Sequence, residues 1–299
     1  MTPFADRLIE AARTYGPLCV GIDPHAGRIP DLFGGDTPSG IEAWGLAMVR
    51  ACIGRVACIK PQIAFYERHG PDGLKALQTI SRAARESGLI VLMDAKRGDI
   101  GSTAEGYAAA FLGKDAPFPS DALTVNPYMG LDTLEPYVRE AETHGKGVIV
   151  LVRTSNPGSA DFQSRDLEGE PLYLRVGEAL APLAERLVGG SGWSGLMMVT
   201  GATGPAEARA IRKAAPRSLF LVPGYGAQGG GADDALAGFT RVGNRLEGGV
   251  VSASRSVSFP SGTDSAASLD EWRRLVEAAI DAAQADLSKH TGSASTIPA

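Results

Sequence analysis

The chain has 299 residues, of which 44% are hydrophobic and 21% charged, ordinary values for a folded globular protein and wrong for a largely disordered one. Its net charge of −5, from 29 basic and 34 acidic residues, argues against a general nucleic-acid binder and leaves room for a small anionic ligand held by a local basic cluster. Three cysteines (Cys19, Cys52, Cys58) are expected as buried thiols of a reducing compartment. The four scattered histidines (His25, His69, His144, His290), with no CxxC or HExxH spacing, give no zinc signature, so no metal site is expected.

Taken in order, the first sixteen residues are amphipathic and lack the apolar centre of a secretion signal, so a cytoplasmic protein is expected. Eight short apolar runs follow, at residues 17–22, 56–59, 89–93, 122–125, 147–152, 195–199, 219–222 and 249–251. Most are aliphatic without alternation, the pattern of strands buried on both faces of a parallel sheet. The longest is far too short to span a bilayer. Helical spacing fills the intervals at 41–52, 74–86, 104–112, 131–142, 172–187, 206–214 and 269–285. Eight alternating units in a chain of this length predict a single-domain (β/α)8 TIM barrel over residues 1–288, with an open doubly wound sheet as the rival. Residues 289–299 are small and polar and read as a flexible tail. Two connections are long, 23–40 and 153–171. Both follow strands, hence both belong on the C-terminal face where barrel active sites are built, and the second is a lid candidate.

Polar residues stand directly after the apolar runs: Asp23 after the first, Lys60 after the second, Asp94 and Lys96 after the third, Asn126 after the fourth, Arg153 and Ser155 after the fifth, Ser254 and Arg255 after the eighth. Positions i and i+2 of a strand point the same way, so Asp94 and Lys96 should share a face with Lys60 and Asp23 beside them. Opposite charges about 4 Å apart attract by roughly 4 kcal/mol at an effective dielectric of 20. Burying them costs more unless the array satisfies itself, and such arrays mark catalytic pockets more often than cores.

After the seventh run comes Pro223-Gly-Tyr-Gly-Ala-Gln-Gly-Gly230. It fits a GxGxxG pattern, but in the seventh unit rather than the first, and no acidic residue follows the next strand, so a dinucleotide site is rejected. Pro223, Gly224, Gly226 and Gly229 instead suit the phosphate site that barrels build after strands 7 and 8, with backbone N–H groups close to the anion. Gln228 offers an amide, and Arg255 a bidentate grip on the dianion.

Asp94-Ala-Lys96-Arg-Gly-Asp99-Ile100, with Lys60 upstream, the PGYGAQGG segment and Ser254-Arg255, resembles the orotidine 5′-phosphate decarboxylase family, most closely its longer bacterial (type 2) subfamily, over roughly residues 16–285. The resemblance implies Lys96 as the acid that protonates C6 of the pyrimidine, in a charged tetrad with Lys60, Asp94 and Asp99. It implies a homodimer in which Asp99, Ile100 and Thr103 belong to the neighbouring subunit's pocket. Asp23 and Lys60 would hold the ribose hydroxyls, Ser155 the pyrimidine, and Gln228 and Arg255 the phosphate. The partners implied are the substrate orotidine 5′-phosphate and the product UMP, with neither nucleic acid nor membrane.

Loss of CO2 from C6 leaves an sp2 electron pair with no carbonyl to accept it, and no cofactor motif supplies an electron sink, so none is expected. A fixed ammonium aimed at that carbon is the remaining route. Three other readings stay open: a Mg2+-dependent sugar-phosphate decarboxylase or aldolase on the same barrel, a Schiff-base aldolase using Lys60 or Lys96, and a phosphate-ligand sensor without catalysis.

Overall fold

The eight apolar runs become the eight parallel strands of a closed barrel in the computed structural model, which describes residues 1–226 and 230–291. The strands are β1 (Leu18–Ile22), β2 (Cys58–Pro61), β3 (Ile90–Arg97), β4 (Ala122–Val125), β5 (Gly147–Arg153), β6 (Ser194–Thr200), β7 (Ser218–Val222) and β8 (Gly249–Ala253). Neighbours in the chain are neighbours in the sheet, and β1 closes on β8 through Leu18–Val251, Cys19–Ser252 and Val20–Ala253. The open-sheet rival is thereby excluded. Strands β2, β3, β5, β6 and β8 run past the apolar runs, because the next residue in each (Lys60, Asp94, Arg153, Thr200, Ser252) is polar and hydropathy could not count it.

The period of two splits the apolar residues into two cores. Cys19, Cys58, Ile90, Leu92, Ala122, Ile149, Met197, Leu219 and Val250 fill the interior together with Phe4, Ala5, Leu8 and Ile9 of the N-terminal helix Phe4–Tyr15. That helix plugs the end of the barrel where the strands begin: a side chain on Gly147, the first residue of β5, would collide with the Phe4 ring. Leu18, Val20, Val91, Leu123, Val148, Leu196, Phe220 and Val251 face the surrounding helices. All three cysteines are free and buried.

Two expected helices are divided. Residues 131–134 form a 3-10 turn before helix Glu135–His144, and 172–187 splits into Leu172–Ala179 and Ala181–Arg186. Pro136 and Pro182 explain both breaks, since a proline opens a helix far better than it continues one. Helix Pro38–Cys52 starts where Thr37 accepts a hydrogen bond from Gly40 N, with Pro38 next. The C-terminal helix spans Leu269–Thr291, so residues 289–291 of the expected tail are helical; 292–299 lie outside the described residues. Two short antiparallel hairpins were not anticipated, 166–171 within the long connection after β5 and 240–247 before β8. Among the described residues no helix is long and apolar enough to cross a membrane.

Candidate active site

The inward parity of the interior core continues to the C-terminal ends of the strands, where it changes from apolar to polar. Above Cys19 come Gly21 and Asp23; above Cys58, Lys60; above Leu92, Asp94; above Ala122, Thr124; above Val250, Ser252 and Ser254. Asp23, Lys60, Asp94, Thr124, Ser252 and Ser254, with Leu151, Val199 and Leu221, line a cavity of 430 Å3 that also receives His25, Lys96, Thr154, Ser155, Asn156, Pro223, Gly224, Tyr225 and Arg255. Gly21 itself has to be a glycine, because a Cβ there would lie 2.7 Å from Ser254 Cβ.

Asp94 is the hub of the charged array. Its Oδ2 accepts from Lys60 Nζ at 3.1 Å, and its Oδ1 from Lys96 Nζ at 2.6 Å and Thr124 Oγ1 at 3.0 Å. Burial alone would push the Asp94 carboxyl up, but the two lysines overcome it and hold the group at about 2. Burial would likewise strip the proton from Lys60, yet Asp94 and then Asp23 hold it well above the ordinary lysine value. The two groups thus fix each other's charge, which makes the buried array tolerable. Lys96 differs from Lys60 in exposure: 46% of its side chain is accessible from the cavity mouth, against 9%.

Regular alternation does not by itself aim Lys96. Its φ is +47°, a left-handed value unusual for a residue with a Cβ, and the β3–β4 pairing slips between Met93 and Arg97. Thr124 holds the kink: its Oγ1 accepts from both Ala95 N (2.9 Å) and Lys96 N (2.8 Å) while donating to Asp94. Asp23 is fixed across the barrel seam. Its Oδ2 accepts from Ser254 Oγ at 2.7 Å and its Oδ1 from Gln62 N at 3.1 Å. Arg255 opens the short helix Arg255–Ser258, and among the described residues no acid pairs with its guanidinium. His25, set edge-on to Phe65 at 4.5 Å, has its pKa lowered chiefly by burial, with Asp23 opposing and Arg255 assisting.

Of the residues singled out in the sequence, Asp23, Lys60, Asp94, Lys96, Ser155, Pro223, Gly224, Ser254 and Arg255 meet at this cavity. Asp99, Ile100 and Thr103 do not. They sit at the head of helix Gly101–Leu112, Asp99 taking Ile100 N and Ile100 62% exposed. Asn126 also lies outside the lining, and its side-chain oxygen accepts from Tyr128 N at 3.0 Å. Gly226 is not part of the lining; it donates its N–H to Gly230 O and has a positive φ of +72°, which glycine adopts without steric cost. Gln228 and Gly229 lie outside the described residues. Arg153 points away from the cavity toward Ser159 and Glu207, anchoring the long connection. Sequence reasoning missed Thr124, Ser252, Leu151, Val199 and Leu221, all of which share the inward parity of the charged residues and could have been found by counting back from them. His25 and Tyr225 had no such signal. Among the described residues no group of three or more His, Cys, Asp or Glu is placed to hold a metal ion.

Comparisons with known proteins identify the family of the chain. The profile of the orotidine 5′-phosphate decarboxylase / HUMPS family matches residues 16–259. An orotidine 5′-phosphate decarboxylase of Rhodopirellula baltica is 39% identical over 295 residues, 93% of this chain and 97% of that one. One from Clostridium novyi is 41% identical over 261 residues, 86% and 89%. Among solved structures, the OMP decarboxylase of Leishmania donovani superposes with a TM-score of 0.77 at 30% identity, covering 96% of this chain and 98% of that one. With the matched profile spanning every strand of the barrel and all of the cavity's charged residues, the chain belongs to the orotidine 5′-phosphate decarboxylase / HUMPS family.

Proposed function

We propose that this chain decarboxylates orotidine 5′-phosphate to uridine 5′-phosphate, the last step of de novo UMP synthesis, with Lys96 as the proton donor to C6. The observation that carries the reading is the Lys60–Asp94–Lys96 array on one wall of a cavity whose opposite wall holds Pro223, Gly224, Tyr225 and an Arg255 with no acidic partner among the described residues. The C6–carboxylate bond breaks, its electron pair stays on C6, and CO2 leaves. The Lys96 ammonium neutralises that charge as it develops and then transfers its proton to the carbon. Asp94, held ionised, keeps the ammonium aimed, and solvent at the mouth restores the proton.

Asp23 and Lys60 are assigned to the ribose hydroxyls, Ser155 to the pyrimidine, and Arg255 with Gln228 to the phosphate. The fourth member of the tetrad, Asp99, comes from a second copy in this reading. Support for a homodimer is the apolar surface around it: Ile100 is 62% exposed, Tyr128 91% and Met129 45%.

The test is ultraviolet detection of orotidine 5′-phosphate consumption in the presence of EDTA. Turnover there supports the reading. Activity confined to a sugar phosphate and dependent on Mg2+ would overturn it in favour of the other branch of the family. Tight UMP binding without turnover would point to a sensor.

A further inference from the structure

The glycine-rich turn after β7 is tied to the C-terminal helix Leu269–Thr291, which lies beyond the 16–259 matched by the family profile. Tyr225, in the turn and facing the cavity, donates its hydroxyl to Asp286 Oδ2 at 2.8 Å. On the far side of the turn, Asp233 Oδ1 lies 2.7 Å from His290 Nδ1, and the short helix Ala232–Ala235 packs on the same C-terminal helix. Asp286 and His290 are four residues apart, so one helical face meets both ends of the turn.

The helix is itself firmly seated. Trp272, Val276, Ile280 and Leu287 are buried, Arg55 donates to Asp281 at 2.9 and 3.0 Å, and the Gln284 amide donates to Tyr15 O and Arg55 O. The described residues on either side of 227–229 are tied to each other as well, Gly226 N donating to Gly230 O (3.0 Å) and Gly230 N to Gly224 O (3.3 Å). A glycine-rich segment has more conformational freedom to lose on gripping an anion than any other. Holding its two ends in place before the ligand arrives removes part of that cost.

We infer that Asp286, through Tyr225, is a positioning residue for the phosphate site, and that the C-terminal helix is the brace which holds Tyr225 and the helix Ala232–Ala235 in place beside it. Asp286 touches no substrate. Its contribution is confined to ligands that carry the phosphate. The inference rests on the decarboxylase reading only for the identity of the nucleotide.

Asp286→Ala should lower kcat/KM for orotidine 5′-phosphate about tenfold, mostly through KM, the size expected for one hydrogen bond to a charged acceptor. Turnover of orotidine, which lacks the phosphate, should stay within twofold. Asp286→Asn, whose side-chain oxygen still accepts from Tyr225, should recover most of the loss, and Tyr225→Phe should reproduce it. Equal losses on the two substrates would reduce Asp286 to a general stabiliser, and no loss on either would remove the brace; both outcomes overturn the inference. Calorimetric binding of UMP and of inorganic phosphate separates the two claims. If the wild type fails to turn over orotidine 5′-phosphate, the functional reading fails, while about tenfold weaker UMP and phosphate binding by Asp286→Ala still supports the brace and unchanged binding overturns it.

Discussion

Thr124→Val removes one oxygen and almost no volume, yet that oxygen serves three groups at once. Without it the N–H groups of Ala95 and Lys96 lose their acceptor in a buried place, at about 1–3 kcal/mol each, and Asp94 loses a hydroxyl donor. The left-handed backbone at Lys96 is itself worth on the order of 1–3 kcal/mol of strain, which only the surrounding bonds offset. The kink should therefore relax rather than persist, limiting the loss of stability to about 2–4 kcal/mol in urea unfolding. Relaxation carries the Lys96 ammonium off its line, and a displacement near 1 Å costs about a hundredfold in rate. The expected result is kcat down on the order of a hundredfold with UMP affinity within threefold, while Thr124→Ser, which keeps the oxygen, stays near wild type. Wild-type turnover in Thr124→Val, or equal damage in both variants, would refute the argument, because the methyl rather than the hydroxyl would then be what matters.

Lys96→Ala should abolish measurable decarboxylation and retain UMP binding; near-normal turnover would dismiss it as the acid. Mixing Lys96→Ala with Asp99→Ala should restore part of the activity by assembling one intact site per heterodimer, and no recovery despite proven subunit exchange would count against a shared site. The Asp94 carboxyl titrates near 2 in the fold against an ordinary 3.8, so its contribution is complete above about pH 4 and is lost as pH falls toward 2. That difference is worth about 2 kcal/mol in acid-unfolding measurements. Asp94→Asn should lose that part of the acid dependence and about 3–5 kcal/mol at neutral pH, since Lys60 is left buried without its partner. An unaltered pH profile would mean another carboxylate governs it.

The barrel was legible because parallel strands buried on both faces carry mostly apolar residues without alternation, and eight such runs admit few arrangements. Asp94, Lys96 and Lys60 were legible because charge directly after an apolar run is conspicuous. The parity of Thr124 could be counted but its role could not: a threonine inside ALTV reads as one more β-branched strand residue, and what it does arises from the kink at Lys96, which no periodicity announces. The hairpins at 166–171 and 240–247 are built from two- and three-residue strands, too short for any pattern. The proline breaks in two helices were legible in principle, since Pro136 and Pro182 stand in plain view, but helical spacing of the apolar residues continues across both. Asp99, Ile100 and Thr103 were singled out only through the family likeness, and within one chain they face outward.

The seam between β1 and β8 joins residue 18 to residue 251, and the Asp23–Ser254 hydrogen bond lies directly above it. Contacts so distant in the chain form late, because a long loop has to be closed before they contribute. A nascent or partly unfolded chain can hold β2, β3 and β4 side by side, with the lysines and Asp94 already adjacent, and still have an unanchored Asp23. Ligand affinity in this protein is thus a reporter of completed assembly: along a refolding time course, recovery of nucleotide binding should trail the return of helical circular dichroism and coincide with ring closure.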